Sequence, residues 1–251
     1  MAWSELSGTT ALVTGATRGF GRAIAVALHE TGADVVAVAR NAEQLGQLRA
    51  ELGGSFTSVT ADVADPVVAG SLVEQYRPKA LVLNAGAPPL MRPLQHQTWE
   101  SFSRNWHVDV QQAFHWIREA LLLPLPPQST VITMSSGAAL FGSPLSGGYA
   151  GAKAAIRFIT GYAAEESARA GLDIRFVSVL PKLTPATDLG GMAAAAYARR
   201  AGIDRDEYVK QLGPPLGAEQ VGKHIADLAS STDQAPGAYL LTPDGLKEIT
   251  Q

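Results

Sequence analysis

Short apolar runs recur along the chain, and each leads into a longer segment whose apolar residues return at helical spacing. Ala11, Leu12, Val13 and Thr14 lead to 21–30, where Ile24, Ala27 and Leu28 share a face. "DVVAVA" (34–39) leads to "NAEQLGQLRAEL", with Asn41 as N-cap and Leu45, Leu48 and Leu52 as a stripe. "SFTSVTADV" precedes a helix over 65–76, "KALVLNAG" a long one over 99–123, and "STVITMSS" one over 147–169. "LDIRFVSVLP" closes the series. The runs are continuously apolar and do not alternate, as expected of strands buried on both faces. Strand–helix alternation of this kind predicts right-handed crossovers and an α/β fold, a doubly wound parallel sheet of about seven strands with helices on both faces.

The pattern breaks at Pro181. From about 183 to 216 the chain reads as a helical excursion outside the sheet, either a lid over a pocket or a packing arm. A helix over 218–230 and the strand "GAYLLTP" finish it. The proline-rich "LLLPLPPQS" ends a helix. With no linker or repeat, residues 1–251 are expected to form a single domain.

Between the first strand and first helix stands "TGATRGFG" (14–21), spaced G-x-x-x-G-x-G through Gly15, Gly19 and Gly21. A glycine-rich turn there aims backbone N–H groups and the positive end of the helix dipole at an anion, and lets a pyrophosphate approach the main chain. Loops of this kind also serve as plain tight turns, but the strand–turn–helix setting favours a dinucleotide and a Rossmann-type sheet. The second strand ends in Ala39-Arg40, where an NAD site would carry a carboxylate. Arg40, with Arg18 inside the loop, suits a ribose 2′-phosphate, so the expected cofactor is NADP(H).

Composition narrows the partners. Formal net charge is −3 over 251 residues, with no basic excess to suggest nucleic acid or a membrane surface. Cysteine is absent, which excludes disulfides and thiolate metal sites and fits a reducing compartment. The N-terminus lacks the basic and apolar regions of a secretory signal. No apolar stretch approaches the ~18 residues that span a bilayer. A cytoplasmic protein is expected. The five histidines show no ligand spacing, and no catalytic metal is expected.

In "YAGAK", Tyr149 and Lys153 lie one helical turn apart on one face. A tyrosine ordinarily ionises near pH ~10, and a neighbouring ammonium favours the phenolate, as general acid–base work near neutrality requires. Ser136 ends the fifth strand, at the edge where open α/β sheets bind ligands. Its hydroxyl can donate to a carbonyl oxygen as negative charge develops.

Taken together these motifs resemble the short-chain dehydrogenase/reductase superfamily, over about 1–190 and more loosely beyond. "TGATRGFG", with Phe20 between its last glycines, matches the family's T-G-x-x-x-G-x-G. "NAG" (Asn84, Ala85, Gly86) matches the motif after the fourth strand that steadies the sheet and lies along the cofactor. "ADV" resembles the pair contacting adenine, which gives that role to Asp62 and Val63. The resemblance implies that Tyr149 protonates the substrate oxygen as hydride arrives from NADPH. It implies that Lys153 holds the nicotinamide ribose and tunes Tyr149, and that Ser136 binds the carbonyl. The implied activity is reversible reduction of a ketone or aldehyde, and the alternative is a cofactor-binding member with a non-redox or regulatory role. A homodimer or homotetramer is expected, pairing through 99–123 and 149–170.

Two positions depart from the family pattern. Where its V-N-x-x-x-x-F stretch has asparagine, in a proton relay acting through the backbone carbonyl, this chain has Asp109. Asp109 can act as an isostere that keeps the carbonyl in place. It can also pair with Lys153 and weaken the lysine's pull on Tyr149. Asn105, a turn earlier, is an alternative relay residue. In "LPKLTPAT", Lys182 follows Pro181 where the family has glycine. It could reach the cofactor phosphates, meet an acidic substrate or point outward. The family threonine that holds the carboxamide corresponds to Thr184 or Thr187. Leu140, Phe141, Leu145, Leu189, Met192 and the alanine run suggest an apolar pocket for a fairly hydrophobic carbonyl compound. Arg199 and Arg200 either greet an anionic carrier or lie on a solvated face.

Overall fold

The computed structural model describes residues 6–231 and 235–249. Among these residues eight strands form one sheet: β1 (Thr10–Thr14), β2 (Asp34–Ala39), β3 (Phe56–Thr60), β4 (Ala80–Leu83), β5 (Ser129–Met134), β6 (Ile174–Pro181), β7 (Gly237–Thr242) and β8 (Gly245–Glu248). Their order is β3-β2-β1-β4-β5-β6-β7-β8. All neighbours are parallel except β7 and β8, which form an antiparallel pair with Thr242 opposite Gly245. Strand order reverses between β1 and β4, which opens a crevice at the carboxyl ends of the strands.

Successive residues of β1 feed opposite sides of the sheet. Ala11 and Val13 join a core with α1 (Gly19–Glu30), α2 (Ala42–Leu52) and α10 (Ala218–Ser230), through Ile24, Leu28, Leu45, Leu48 and Ile225. Leu12 joins the other core with α3 (Pro66–Tyr76), α5 (Gln111–Leu122) and α7 (Gly147–Ala170). Trp116 is fully buried there, and its indole N–H donates to the Val63 carbonyl at 2.9 Å. Burying a side chain of that size stabilises by roughly 1.5–3 kcal/mol, and the satisfied N–H avoids a desolvation penalty. Asn41 caps α2, accepting from the Gln44 N–H at 2.9 Å.

The segment expected as one helix over 99–123 is broken. α4 (Trp99–Asn105) passes through a π-helical turn, Trp106–Val110, into α5. A π turn inserts an extra residue and rotates the following face. Ser103 and Asn105 before it, Asp109 within it, and Gln112 and Trp116 after it are all buried. The strand β8 is a second departure, an eighth strand where about seven were expected. The helical excursion comprises α8 (Asp188–Ala201) and α9 (Arg205–Gln211); a short helix α6 (Ala138–Phe141) precedes α7.

Candidate active site

The glycine loop is held from below by one side-chain network. Asn84 donates through Nδ2 to the carbonyls of Thr14 (3.1 Å) and Gly15 (3.3 Å). The Thr14 hydroxyl accepts from the N–H groups of Asn84 (2.9 Å) and Ala85 (3.2 Å) and donates to Gln112 Oε1 at 2.6 Å. Gln112 in turn donates to the Ala85 carbonyl at 2.9 Å. Gly15 has φ +67°, a left-handed angle, and a Cβ there would lie 2.7 Å from the Ala85 Cα. A Cβ at Gly21 would overlap the Gly15 carbonyl oxygen and Asn84 Nδ2. Both glycines are therefore required by close approach.

Above this loop lies a cleft of about 930 Å³ at the carboxyl ends of the strands. Gly15, Arg18, Gly19, Phe20 and Gly21 line one part of it. A side chain at Gly19 would project into open space, and no side chain caps the start of α1. The cradle therefore fits a pyrophosphate passing over the helix N-terminus. Arg40, Asp62 and Val63 line the end that would take adenosine, joined by Asn41 and Gln44. Arg40 is exposed and makes no ion pair or hydrogen bond with the described residues, whereas Arg18 pairs with Asp188 at 3.4 Å.

Ser136, Tyr149, Lys153 and Asp109 line the same cleft. Ser136 Oγ accepts from the Ala138 N–H at 3.2 Å, which leaves its own hydrogen to donate. The preceding Ser135 donates to the Lys153 carbonyl at 2.7 Å and ties β5 to α7. Lys153 Nζ donates to the Met134 carbonyl at 3.0 Å, lies 3.1 Å from Asp109 Oδ2, and stands 5.6 Å from the centre of the Tyr149 ring. Oδ2 has no well-aligned hydrogen-bond donor among the described residues, so its contact with Lys153 is chiefly one of charge. The other oxygen, Oδ1, accepts from the Ala87 N–H at 2.8 Å. Burial pulls the Lys153 ammonium down, but the Asp109 carboxylate and, behind it, Tyr149 outweigh burial and hold it above its ordinary value. Asp109 is thus more than an isostere. Asn105 donates to the Ala87 carbonyl at 2.6 Å and, more distantly, to Asp109 Oδ1 at 3.5 Å.

A family model described as short chain dehydrogenase matches residues 9–197. The chain belongs to the short chain dehydrogenase family. A hydroxynaphthalene reductase of Aspergillus fumigatus is 30% identical over 264 residues, covering 96% of this chain and 93% of the relative. An L-xylulose reductase of Bos taurus is 30% identical over 184 residues, 72% of this chain and 75% of its own. Among solved structures, an NAD+-bound xylitol dehydrogenase superposes with TM-score 0.81 at 22% identity, covering 95% of this chain and 99% of that one. A 3-ketoacyl-(acyl-carrier-protein) reductase from Brucella melitensis, complexed with NADH, gives 0.77 at 22%, with 94% and 97% covered. The structural likenesses show the fold.

Within this short chain dehydrogenase, Pro181, Lys182, Thr184 and Thr187 line the cleft beside β6. Lys182 takes no left-handed backbone angle, so lysine fits where the family has glycine. Its N–H continues the β7 pairing to the Leu241 carbonyl (2.9 Å), and its Nζ donates to the Leu212 carbonyl (2.7 Å) just beyond α9. It thereby ties down the excursion. Thr184 is buried with its hydroxyl given to the Leu216 carbonyl (3.0 Å). Thr187 caps α8, accepting from the Gly190 N–H (3.1 Å).

Of the expected apolar walls, Phe141, Leu189, Met192 and Ala193 line the cleft. Leu145 does not, being buried elsewhere, and Leu140 stays off the lining. Arg199 and Arg200 are exposed outside the cleft. Met91, Tyr197 and Tyr208 line it without any sequence signal that could have found them. Among the described residues no group of three or more His, Asp or Glu is placed to hold a metal, and no helix is long and apolar enough to cross a membrane.

Proposed function

We propose that this short chain dehydrogenase is an NADPH-dependent reductase that converts a ketone or aldehyde to an alcohol, reversibly. The observation that carries the reading is the convergence of Ser136, Tyr149 and Lys153 on one cleft with the glycine loop and the unpaired Arg40. NADPH, when bound, supplies the hydride that reaches the carbonyl carbon. Gly15, Phe20, Gly21 and the Asn84–Gly86 stretch would receive its backbone, and Asp62 and Val63 its adenine. Arg40, free of competing partners, would take the 2′-phosphate. Thr187 retains a hydroxyl hydrogen for the carboxamide, whereas the hydrogen of Thr184 is already used.

Ser136 donates a hydrogen bond to the substrate oxygen, and Tyr149 delivers the proton that makes it a hydroxyl. Lys153 keeps its ammonium beside Tyr149 and within reach of the ribose. Asp109 holds Lys153 in that position. The Asp109–Lys153 contact also favours a second reading, a cofactor-binding protein without turnover, because it draws charge from the group meant to assist Tyr149.

The reading extends to the whole chain as one domain, cytoplasmic, acting on a small molecule and pairing with further copies. Trp99, Trp106, Phe114, Phe158 and Tyr162 are exposed apolar residues on α4, α5, α7 and the π turn, the surfaces through which copies would meet. Titration with NADPH and NADH in parallel, followed by nicotinamide fluorescence, tests the cofactor assignment. Ketone-dependent loss of NADPH absorbance tests turnover. Saturable NADPH binding with no turnover on any ketone or aldehyde would favour the second reading.

A further inference from the structure

The substrate end of the cleft contains a pair of stacked rings. Tyr197 of α8 and Tyr208 of α9 lie with centroids 6.0 Å apart and planes inclined by 17°. Tyr197 is anchored at its tip: its hydroxyl hydrogen-bonds Ser143, which bonds Ser146 at 2.6 Å. Ser146 stands at the start of α7, the helix that carries Tyr149. The ring of Tyr197 is thereby fixed relative to the reacting tyrosine by a chain of hydroxyls. The Tyr208 hydroxyl has no hydrogen-bond partner among the described residues, and burial, with Tyr197 behind it, keeps its phenol neutral at higher pH than usual. Phe141, Met91 and Met192 complete that end, a ring and two thioethers, groups that favour contact with π surfaces.

Two of the cations nearby face carboxylates, and the third is held by a backbone carbonyl. Lys153 faces Asp109, Arg18 faces Asp188, and the ammonium of Lys182 is held by the Leu212 carbonyl. Among the described residues, the cleft-lining cation with neither an ion pair nor a hydrogen bond is Arg40, at the adenosine end. A carboxylate or phosphate on the substrate would have to break one of these contacts or enter unpaired, and both cost free energy. Resting on the reductase reading, we propose that the substrate is a neutral, planar aromatic ketone, its ring packed against the Tyr197–Tyr208 pair.

Three bicyclic ketones of one skeleton test this: 2-tetralone, its saturated counterpart 2-decalone, and a ring-carboxylated 2-tetralone. Ring stacking contributes about 0.5–1.5 kcal/mol beyond area burial, so kcat/KM for 2-tetralone should exceed that for 2-decalone about 2- to 12-fold. The carboxylated ketone should be the poorest of the three. Tyr208→Leu should bring 2-tetralone and 2-decalone to near parity. Equal rates in the wild type, preference for the carboxylated ketone, or a tetralone preference that survives Tyr208→Leu would each overturn the proposal. Calorimetric binding of the same ketones to wild type and Tyr208→Leu gives the comparison without turnover. Failure to bind NADPH would sink the reductase reading, while the calorimetric ranking would still decide for or against the aromatic subsite.

Discussion

Asp109 Oδ2 and Lys153 Nζ lie 3.1 Å apart, both buried, and each has one further partner on the backbone: the Ala87 N–H for the carboxylate and the Met134 carbonyl for the ammonium. This pair joins the π turn to α7 at the floor of the cleft. Removing one member of a buried pair strands the other, at a cost of up to about 3–5 kcal/mol.

That geometry fixes how Asp109→Asn should respond to pH. In the wild type Lys153 is held above its ordinary 10.5, so its contribution to stability is complete below that value and lost as pH rises through the folded one. With asparagine at 109, burial, already the largest single influence, loses its main counterweight and the folded value falls below 10.5. The ammonium then opposes folding at neutral pH, and its penalty fades as pH rises. The gap in Tm between wild type and variant should be widest near neutrality and should narrow toward alkaline pH. A gap that does not change with pH would mean that charge is not what holds these residues together.

Arg40→Ala should weaken NADPH binding about 10- to 100-fold, the range for a charge-assisted hydrogen bond, and leave NADH binding nearly unchanged. Fluorescence titration measures both. An equal loss for the two cofactors would remove Arg40 from the 2′-phosphate role.

Tyr149→Phe removes the acidic hydroxyl and keeps the ring. Turnover should fall about 10²- to 10⁴-fold, the usual share of general acid–base catalysis, with cofactor affinity retained. Steady-state rates alongside the binding titration separate the two effects. Undiminished turnover would place the proton donor elsewhere.

Gly21→Ala and Gly46→Ala should behave oppositely. The first pushes a methyl group into the Gly15 carbonyl and Asn84, so it should displace the loop and cut cofactor affinity at least tenfold. The second, exposed on α2 with nothing within 4 Å, should stabilise by about 0.5–1 kcal/mol through helix propensity. Thermal melts and cofactor titrations read both.

The central sheet was legible because β4 and β5 are buried throughout, β1 all but its first residue, and their apolar residues stand together and do not alternate with charged ones. The candidates around the glycine loop and Tyr149 were legible because short-range spacing carries them. The π turn was not, because Trp106 and Val110 are both apolar and keep a helical period whether or not a residue is inserted. β8 is only "GLKE", too short and polar to announce a strand, and it exists by pairing with β7. Arg18 and Asp188 lie 170 positions apart, and Lys182 meets the Leu212 carbonyl across 30; no local pattern encodes either contact. Physical reach decides such pairs, and reach is set by the fold.

β8 also determines how the sheet meets other molecules. Without it, β7 would offer a six-residue rim of unsatisfied backbone groups on which a foreign strand could build. Instead the outermost strand there has four residues, and it ends in the exposed Lys247 and Glu248. Further strand addition on that side would have to begin on a short, charged margin, so the hairpin acts as a built-in guard against self-templated aggregation.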